Sequence, residues 1–493
     1  MENIKKGIKG LYFIFILLNL CTVFSNTNVG SIKMVEIFLF AIFFVFFVSY
    51  KIKKDKLIQI VHRIPKRFII VFSIILIIIG LLARVGLMFI KYNDPASDYG
   101  TFFYNAADFS ESNVISAQRY ISIFPYLVPY IMVLGYVFKL VGVSYNATIA
   151  FNVVLDVLSA IILFIAFKKR TSYIRPLLIS AVWMINPINI IWCAFAAPIV
   201  IVNFLFILLS TLFEFKEKQK DTWKIFSFEL IIGIILGIAN SFRPIFIIFL
   251  IALILYELLK LLQNIKNIKR IVSIVIGIFI LLISYTFISK IEFKYIQNIV
   301  GTEVARSSGW TLYVGANVES NGTWNQSDGE KFIEKYNDIS NSAENIQKEF
   351  QNEAILRIKT NGKRANINLI KEKFKVLTQN MAGYSVDQFW NIQNRTENEK
   401  YKKCVGFWTN IFVFIIILLN LLVIIIQNDD LKMYMYMLLS IGLVISHLLV
   451  EVSSRYTIHV IVPFSIIGVL NIYNLLKNNG KDNAKIYDKA ECK

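Results

Sequence analysis

Two carboxylates follow directly on a long apolar run in the stretch Lys91–Tyr92–Asn93–Asp94–Pro95–Ala96–Ser97–Asp98–Tyr99, and an aromatic, alanine-containing stretch, Phe102–Ala107, comes next. A carboxylate held just above a membrane can take a proton from a hydroxyl while a lipid-linked substrate lies beside it. The bland alternative is that a short outer loop carries acids only to balance topology. Other ionisable groups stand out because they interrupt or border apolar runs. Arg84 and Asp156 lie inside such runs, where a charge at the bilayer centre costs ~2.5–3.5 kcal/mol on insertion scales. Asp156 reads as a packed, protonated or paired carboxyl. Arg243 precedes Pro244 between two apolar runs, and Arg455 follows Glu451 by four residues, a spacing that also suits a helical ion pair. His447 and His459 have no metal-ligand spacing, so satisfied polar contacts suit them better. Trp310 and Trp324 suit either sugar stacking or interfacial anchoring.

The elements that must position these groups are membrane helices. The chain has 493 residues, of which 56% are hydrophobic and only 17% charged, with a mean hydropathy of +0.60. A soluble domain carries roughly a quarter charged residues. Several runs, 68–90 and 405–426 among them, reach the ~18 or more residues that cross ~30 Å of hydrocarbon as helix. About thirteen candidate segments emerge: 8–25, 32–50, 68–90, 123–141, 146–167, 177–194, 199–213, 225–240, 244–262, 271–289, 405–426, 431–450 and 456–475.

The net charge of +19 is distributed as topology requires. Seven Lys or Arg between Lys51 and Arg67 oppose one acid, Asp55, and the N-terminus and the tail after Leu476 are also basic. These clusters follow the positive-inside bias of cytoplasmic loops and do not mark a nucleic-acid partner. With 51–67 inside, 91–122 and the hundred-residue stretch 290–404 fall outside. An inside N-terminus and tail demand an even number of crossings, so one of thirteen candidates is not a full span. The cluster Lys168–Lys169–Arg170 locates the difficulty: either 123–141, with Pro125 and Pro129, is re-entrant, or 177–213 crosses once. In the long loop, 309–325 suggests turns and short strands, and 328–377 amphipathic helices. Four scattered cysteines support neither a disulfide framework nor a zinc site. The first apolar run reads as a retained anchor, and the Ile, Lys, Asn and Phe usage suits an AT-rich bacterial genome.

Several patches, in order, resemble the GT-C superfamily of membrane glycosyltransferases, especially protein O-mannosyltransferases and bacterial aminoarabinose-type transferases. They are Pro95-x-Ser97-Asp98 with Ala106; Phe124–Pro125–Tyr126 through Val141–Ser144 to Asn152; Gly233-x-x-x-Gly237 with Arg243–Pro244; Gly315–Ala316–Asn317 with Gly322–Asn325; and Glu451 through Arg455–Tyr456 to Pro463. Together they cover about 68–470. The family often has a second acid where this chain has Tyr99 and a Tyr where it has Phe102.

The resemblance implies an all-α polytopic protein of about twelve transmembrane helices in the bacterial plasma membrane. Residues 1–67 would be two added segments and a basic loop, 68–289 a GT-C-like core with catalytic loop 91–122, 290–404 a mixed or helical extracytoplasmic loop domain, 405–476 the last helices, and 477–493 a cytoplasmic tail. It also implies inverting transfer of a sugar from a polyprenyl-phosphate donor, among membrane lipids, to an acceptor that is a glycan, lipid or protein. Asp98 would be the base and Asp94 its understudy. Arg455, then Arg243, would hold the lipid phosphate, because a planar guanidinium binds phosphate oxygens in pairs. Tyr99, Asn317, Trp324, Glu451 and Tyr456 would contact substrate. No cofactor is certain, and a divalent metal stays open because the family's second acid is missing. The competing readings are a polysaccharide polymerase or ligase, and a lipid or solute transporter. The transporter would need several intramembrane ionisable groups, and few are visible in the sequence.

Overall fold

The apolar runs of the sequence become helices, since lipid leaves backbone polar groups no partner outside the segment itself. The computed structural model describes residues 1–26, 30–52, 65–168, 173–379, 381, 383–393, 399–424 and 430–477. Most of the basic residues of the 51–67 loop, Lys169–Arg170 and the tail lie outside them. The helices are α1 (Glu2–Asn26), α2 (Gly30–Ile52), α3 (Lys66–Leu87), α4 (Ser97–Ser112), α5 (Gln118–Ile123), α6 (Val128–Val141), α7 (Tyr145–Phe167), α8 (Ile174–Met184), α9 (Pro187–Trp192) and α10 (Ile199–Lys216). They continue with α11 (Thr222–Phe242), α12 (Phe246–Gln263), α13 (Ile268–Val300), α14 (Gly309–Gly315), α15 (Gln326–Asn337), α16 (Ala343–Gln379), α17 (Gly383–Asn391), α18 (Glu399–Leu421), α19 (Lys432–Leu449) and α20 (Ile461–Lys477). Ten stretches among the described residues are helical, long and apolar enough to cross a membrane. The protein is an all-helical, polytopic membrane protein.

Contacts at the two ends of these helices settle which candidate segment fails to cross. At one end, Lys218 donates to the carbonyl of Ala166 (2.7 Å) and Lys432 pairs with Glu214 (2.6 Å). This end also receives Lys168, so it is the basic, inner one. At the other end, the Tyr145 hydroxyl donates to the carbonyl of Ala194 (2.9 Å), which places the start of α7 outside. Helix α6 lies along α4, an outer-loop helix: a Cβ on Gly135 would sit 2.7 Å from the Phe109 ring, and Lys139 donates to Asn113. Segment 123–141 therefore begins and ends at the Tyr145 end of α7, and the pair 177–213 runs from the Lys168 end of the bundle to the Tyr145 end and back.

The first half of that pair is a broken helix. Asn186 caps the nitrogen of Ile188 (3.1 Å), and Pro187 opens α9, a position where its missing N–H costs nothing. Beyond Trp192 the chain is irregular to Ala197, yet buried. Its carbonyls are satisfied from within: Asn152 donates to those of Cys193 (3.2 Å) and Phe195 (2.8 Å). Irregular backbone at membrane depth is tolerated on this condition.

Arg84 and Asp156 resolve each other. Both are buried, at 0% and 2% exposure, and they form an ion pair between α3 and α7. Arg84 also donates to the carbonyls of Gly80 (2.8 Å) and Met184 (2.5 Å), and so caps the end of α8. Trp183 Nε1 donates to the second Asp156 oxygen (2.9 Å). Gly80 is required by closeness, since a Cβ there would lie 2.1 Å from the carbonyl oxygen of Met184.

The sequence understates the intramembrane charge. Near the inner ends of α10 to α12, buried Lys216 contacts Glu257 (2.6 Å) and Glu229 (2.8 Å), and Lys260 contacts Glu217 (3.0 Å). In one dimension Glu229 and Glu257 are solitary acids in separate apolar runs; only packing supplies their counter-ion. The cluster stands at the opposite end of the helices from Asp98.

Helix α13 exceeds the expected 271–289 segment at both ends. Its 33 residues make a rod of about 50 Å, against ~30 Å of hydrocarbon, so its last turns rise above the membrane. The Gly233-x-x-x-Gly237 patch is its docking seam: a Cβ on Gly233 would fall 1.9 Å from Ser284 Oγ, and one on Gly237 2.8 Å from Ile288. Small residues at this spacing let membrane helices approach closely. The expected strands in 309–325 are absent among the described residues; that stretch is α14 followed by turns. Its aromatic residues pack into a compact cluster instead, with Trp310 5.0 Å from Phe332 and Phe350.

Candidate active site

Three walls meet at the outer end of the bundle. The first is the turn into α4. The Asn93 nitrogen donates to the carbonyl of Ile392 (2.7 Å), tying the loop after α3 to the loop after α17. The chain then reverses at Ser97, whose φ of 53° is left-handed, a conformation L residues seldom adopt and one found at functional turns. Gly100 allows the tight return, since a Cβ there would meet the Pro95 carbonyl at 2.8 Å. Helical periodicity sends Tyr99 and Phe102 inward, Tyr99 lying 4.9 Å from Phe195, and leaves Asp98 facing the opening, its side chain 49% exposed.

The second wall is the extended stretch 450–453 and the 3-10 turn Ser454–Val460. The loop 309–325 holds it: the nitrogens of Glu451 and Val452 donate to the carbonyls of Thr311 (2.7 Å) and Gly322 (2.9 Å). Gly315 packs so closely that a Cβ would lie 2.3 Å from the Val450 carbonyl carbon. Lys373 locks the cradle from behind by donating to the Gly315 carbonyl (3.0 Å). The glycines of the Gly315–Asn325 patch thus place Arg455 indirectly. Glu451 and Arg455 do not form the helical ion pair that their spacing allowed, because Glu451 lies in extended chain.

The third wall is the end of α11, where Arg243 Nη1 contacts His459 Nε2 (2.8 Å). Arginine only donates, so Nε2 accepts, and the His459 Nδ1 hydrogen goes to Asn203 Oδ1 (2.8 Å). His459 is the satisfied polar contact expected; His447 stacks on Tyr456 (5.1 Å), but its Nε2 is buried without a partner.

Asp98, Tyr99, Tyr126, Arg243, Arg455 and Tyr456 line one cleft. Arg455 Nη1 stands 3.4 Å from Asp98 Oδ2 and 3.2 Å from the Tyr384 hydroxyl. The Tyr456 ring lies between the two guanidinium groups, 5.1 Å from Arg243 and 5.4 Å from Arg455, which holds two like charges in one cleft by cation–π attraction. Burial pushes the phenols of Tyr99 and Tyr120 well up, so both remain neutral hydroxyls, and the Tyr99 hydroxyl has no partner. Glu451 is pushed up by burial, opposed by nearby Arg455 and reinforced by Asp98.

Not every expected residue arrives here. Asp94 lines a separate recess with Tyr92, Tyr104 and Tyr145. Asn317 donates to Asp328 (3.0 Å) and organises the outer loop together with Arg357, and Trp324 is an exposed ring against Gly329. Neither lines the cleft. Tyr384 and His459 do belong to the site's structure, and no spacing in the sequence announced them; Tyr126 stood within the Phe124–Tyr126 patch without a role. Among the described residues no three His, Cys, Asp or Glu side chains stand together, and Asp98 faces a guanidinium.

Lys373 gives the cradle a pH signature. Burial lowers its ammonium to about 8 from an ordinary value of 10.5. The unfolded chain therefore holds this proton where the folded chain has lost it, and folding stability rises as pH climbs from about 8 to about 10.5. Thermal unfolding in detergent should show this rise in wild type relative to Lys373→Met. Parallel curves for the two proteins would contradict it.

No family model matches this chain, and no curated protein matches it in sequence. Among solved structures, it aligns with the crystal structure of ArnT from Cupriavidus metallidurans bound to undecaprenyl phosphate. The identity is 9%, over 82% of this chain and 77% of that one, with a TM-score of 0.34, an overlap that carries no argument about this chain.

Proposed function

We propose that this protein is a membrane glycosyltransferase that moves a sugar from a polyprenyl-phosphate donor to an acceptor hydroxyl at the outer face of the plasma membrane. The observation that carries this reading is the meeting of Asp98 with Arg455, from 357 positions away in sequence, in a cleft that also holds Arg243. One carboxylate and two guanidinium groups, at the outer end of membrane helices, match the demands of that reaction. A carboxylate must accept the proton of the attacking hydroxyl. Cations must stabilise the phosphate as the anomeric carbon–oxygen bond breaks and charge builds on the leaving oxygen.

In this scheme Asp98 and Arg455 neutralise each other until the donor arrives. The donor phosphate then takes Arg455, with Arg243 held ready by His459, and Asp98 is released to act as base. Tyr99 offers an unpartnered hydroxyl, and Tyr456 separates the two arginines while presenting an aromatic face. The acceptor oxygen attacks the anomeric carbon from the side opposite the phosphate, Asp98 takes its proton, and the lipid phosphate leaves with the bonding pair. The configuration inverts.

Arg455→Gln tests the phosphate role. Purified protein in liposomes would be offered a panel of polyprenyl-phosphate sugars, with donor hydrolysis followed over time. Loss of one such stabilising donor typically lowers kcat by about 10²–10³, and the same fall is expected here. A variant as active as wild type on every donor would contradict the assignment.

A further inference from the structure

A second cavity adjoins the reaction cleft. It has a volume of ≈ 820 Å³, within the ~300–1,000 Å³ range of small-molecule sites. Tyr126 lines both spaces, and Arg243 of the cleft is followed by Pro244 of the groove. Helix α13 forms its long wall and fixes its depth. The exposed apolar residues of that helix run through Phe279, Ile283 and Phe287 to Ile291 and Tyr295, and from Lys290 on basic residues interleave with them. About twenty residues of helix cross the hydrocarbon, so counting from Ile268 puts the boundary near Ser289. The groove floor, with Gly237 and Tyr285, lies at the membrane edge, and its upper wall stands in water.

The upper wall is basic. Lys290, Lys294 and Arg306 line it against a single acid, Glu292. All three cations are exposed, and none forms an ion pair with a carboxylate among the described residues. The positive-inside bias works against basic residues at an outer boundary, so topology does not explain them. The remaining lining supplies the hydroxyls of Ser241, Ser307, Ser308 and Thr311. Asn240 adds a buried Oδ1 that has no partner.

We propose that this groove is the acceptor site and that it takes an anionic glycan, with acidic groups on Lys290, Lys294 and Arg306 and hydroxyls on the serine- and amide-lined wall. The inference rests on the glycosyltransferase reading for the word acceptor. An acceptor lying here reaches past Tyr126 toward Asp98, while Arg455 and Arg243 remain free for the donor phosphate.

The test is binding by the whole protein in phosphatidylcholine nanodiscs, with polygalacturonate oligosaccharides and malto-oligosaccharides of equal length as probes. Wild type should bind the acidic probe at least about tenfold more tightly at low salt, and the preference should shrink as salt screens the cluster. K290E/K294E/R306E should abolish the preference while eluting as a symmetric peak and unfolding at the wild-type temperature, which shows that it is folded. Equal binding of the two probes by wild type, or a preference that survives in the triple variant, overturns the proposal. Loss of co-purifying phosphatidylglycerol in the triple variant, with oligosaccharide binding unchanged, overturns it in favour of a lipid headgroup. Failure of the glycosyltransferase reading is separate: it shows as absent donor hydrolysis and leaves the binding result standing.

Discussion

Asp98→Asn should lower turnover of the lipid-linked donor by about 10²–10⁴, the usual contribution of a positioned general base, while leaving KM close to wild type. The amide has the carboxylate's shape, so the turn at Ser97 and the packing of Tyr99 stay in place, but it cannot accept a proton. Asp94→Asn should leave turnover unchanged, because Asp94 opens into a different recess with Tyr92 and Tyr145. The two variants form a matched pair, four residues apart on one loop. Single-turnover rates of both, on protein that elutes as a symmetric peak, check the claim. Equal losses in the two variants would mean that the loop matters and Asp98 has no special role. A full-rate Asp98→Asn would move the base away from Asp98, with Glu451, a carboxylate within its electrostatic reach, the next candidate.

The largest stability effect is expected at Arg84. Replacing it with Met leaves Asp156 without its counter-ion and the Met184 carbonyl without a donor. Breaking one side of a buried pair typically costs about 3–5 kcal/mol. Arg84→Met should therefore lower folded yield and Tm sharply. Removing both charges, as Arg84→Met with Asp156→Leu, leaves no uncompensated charge and should recover most of the loss, although Trp183 and the Met184 carbonyl still lose partners. Fluorescence-detected size exclusion after graded heating measures both. A single variant as stable as wild type, or a double variant worse than the single, would contradict the pairing account.

Helices were legible in this sequence because membrane spans are read from length and hydrophobicity, which are local. The parity of the crossings and the inner position of Lys168 also narrowed the non-crossing candidate to two places. The choice between them needed the packing of Gly135 on Phe109, a contact across an outer loop that no local pattern encodes. The same limit explains the ionisable residues. Arg84 and Asp156 each looked anomalous alone and became ordinary together, while Glu229 and Glu257 were passed over because their partner, Lys216, ends a different helix. At the site, Asp98, Arg455, Arg243, Tyr99 and Tyr456 line one cleft, and Glu451 is not among its lining residues. Nor are Asn317 and Trp324, because their patch acts through backbone: Gly315 and Gly322 clamp the chain that carries Arg455. Tyr384 had no signal at all, since a lone tyrosine in a polar loop looks like any other.

The most direct test of the central claim is the anomeric configuration of the sugar released by purified wild-type protein from a polyprenyl-phosphate donor, followed by proton NMR from the first turnovers. A single displacement with Asp98 as base gives a product of inverted configuration, and Asp98→Asn gives none above background. Release with retained configuration, or no consumption of any donor in the panel by folded protein, would contradict the account.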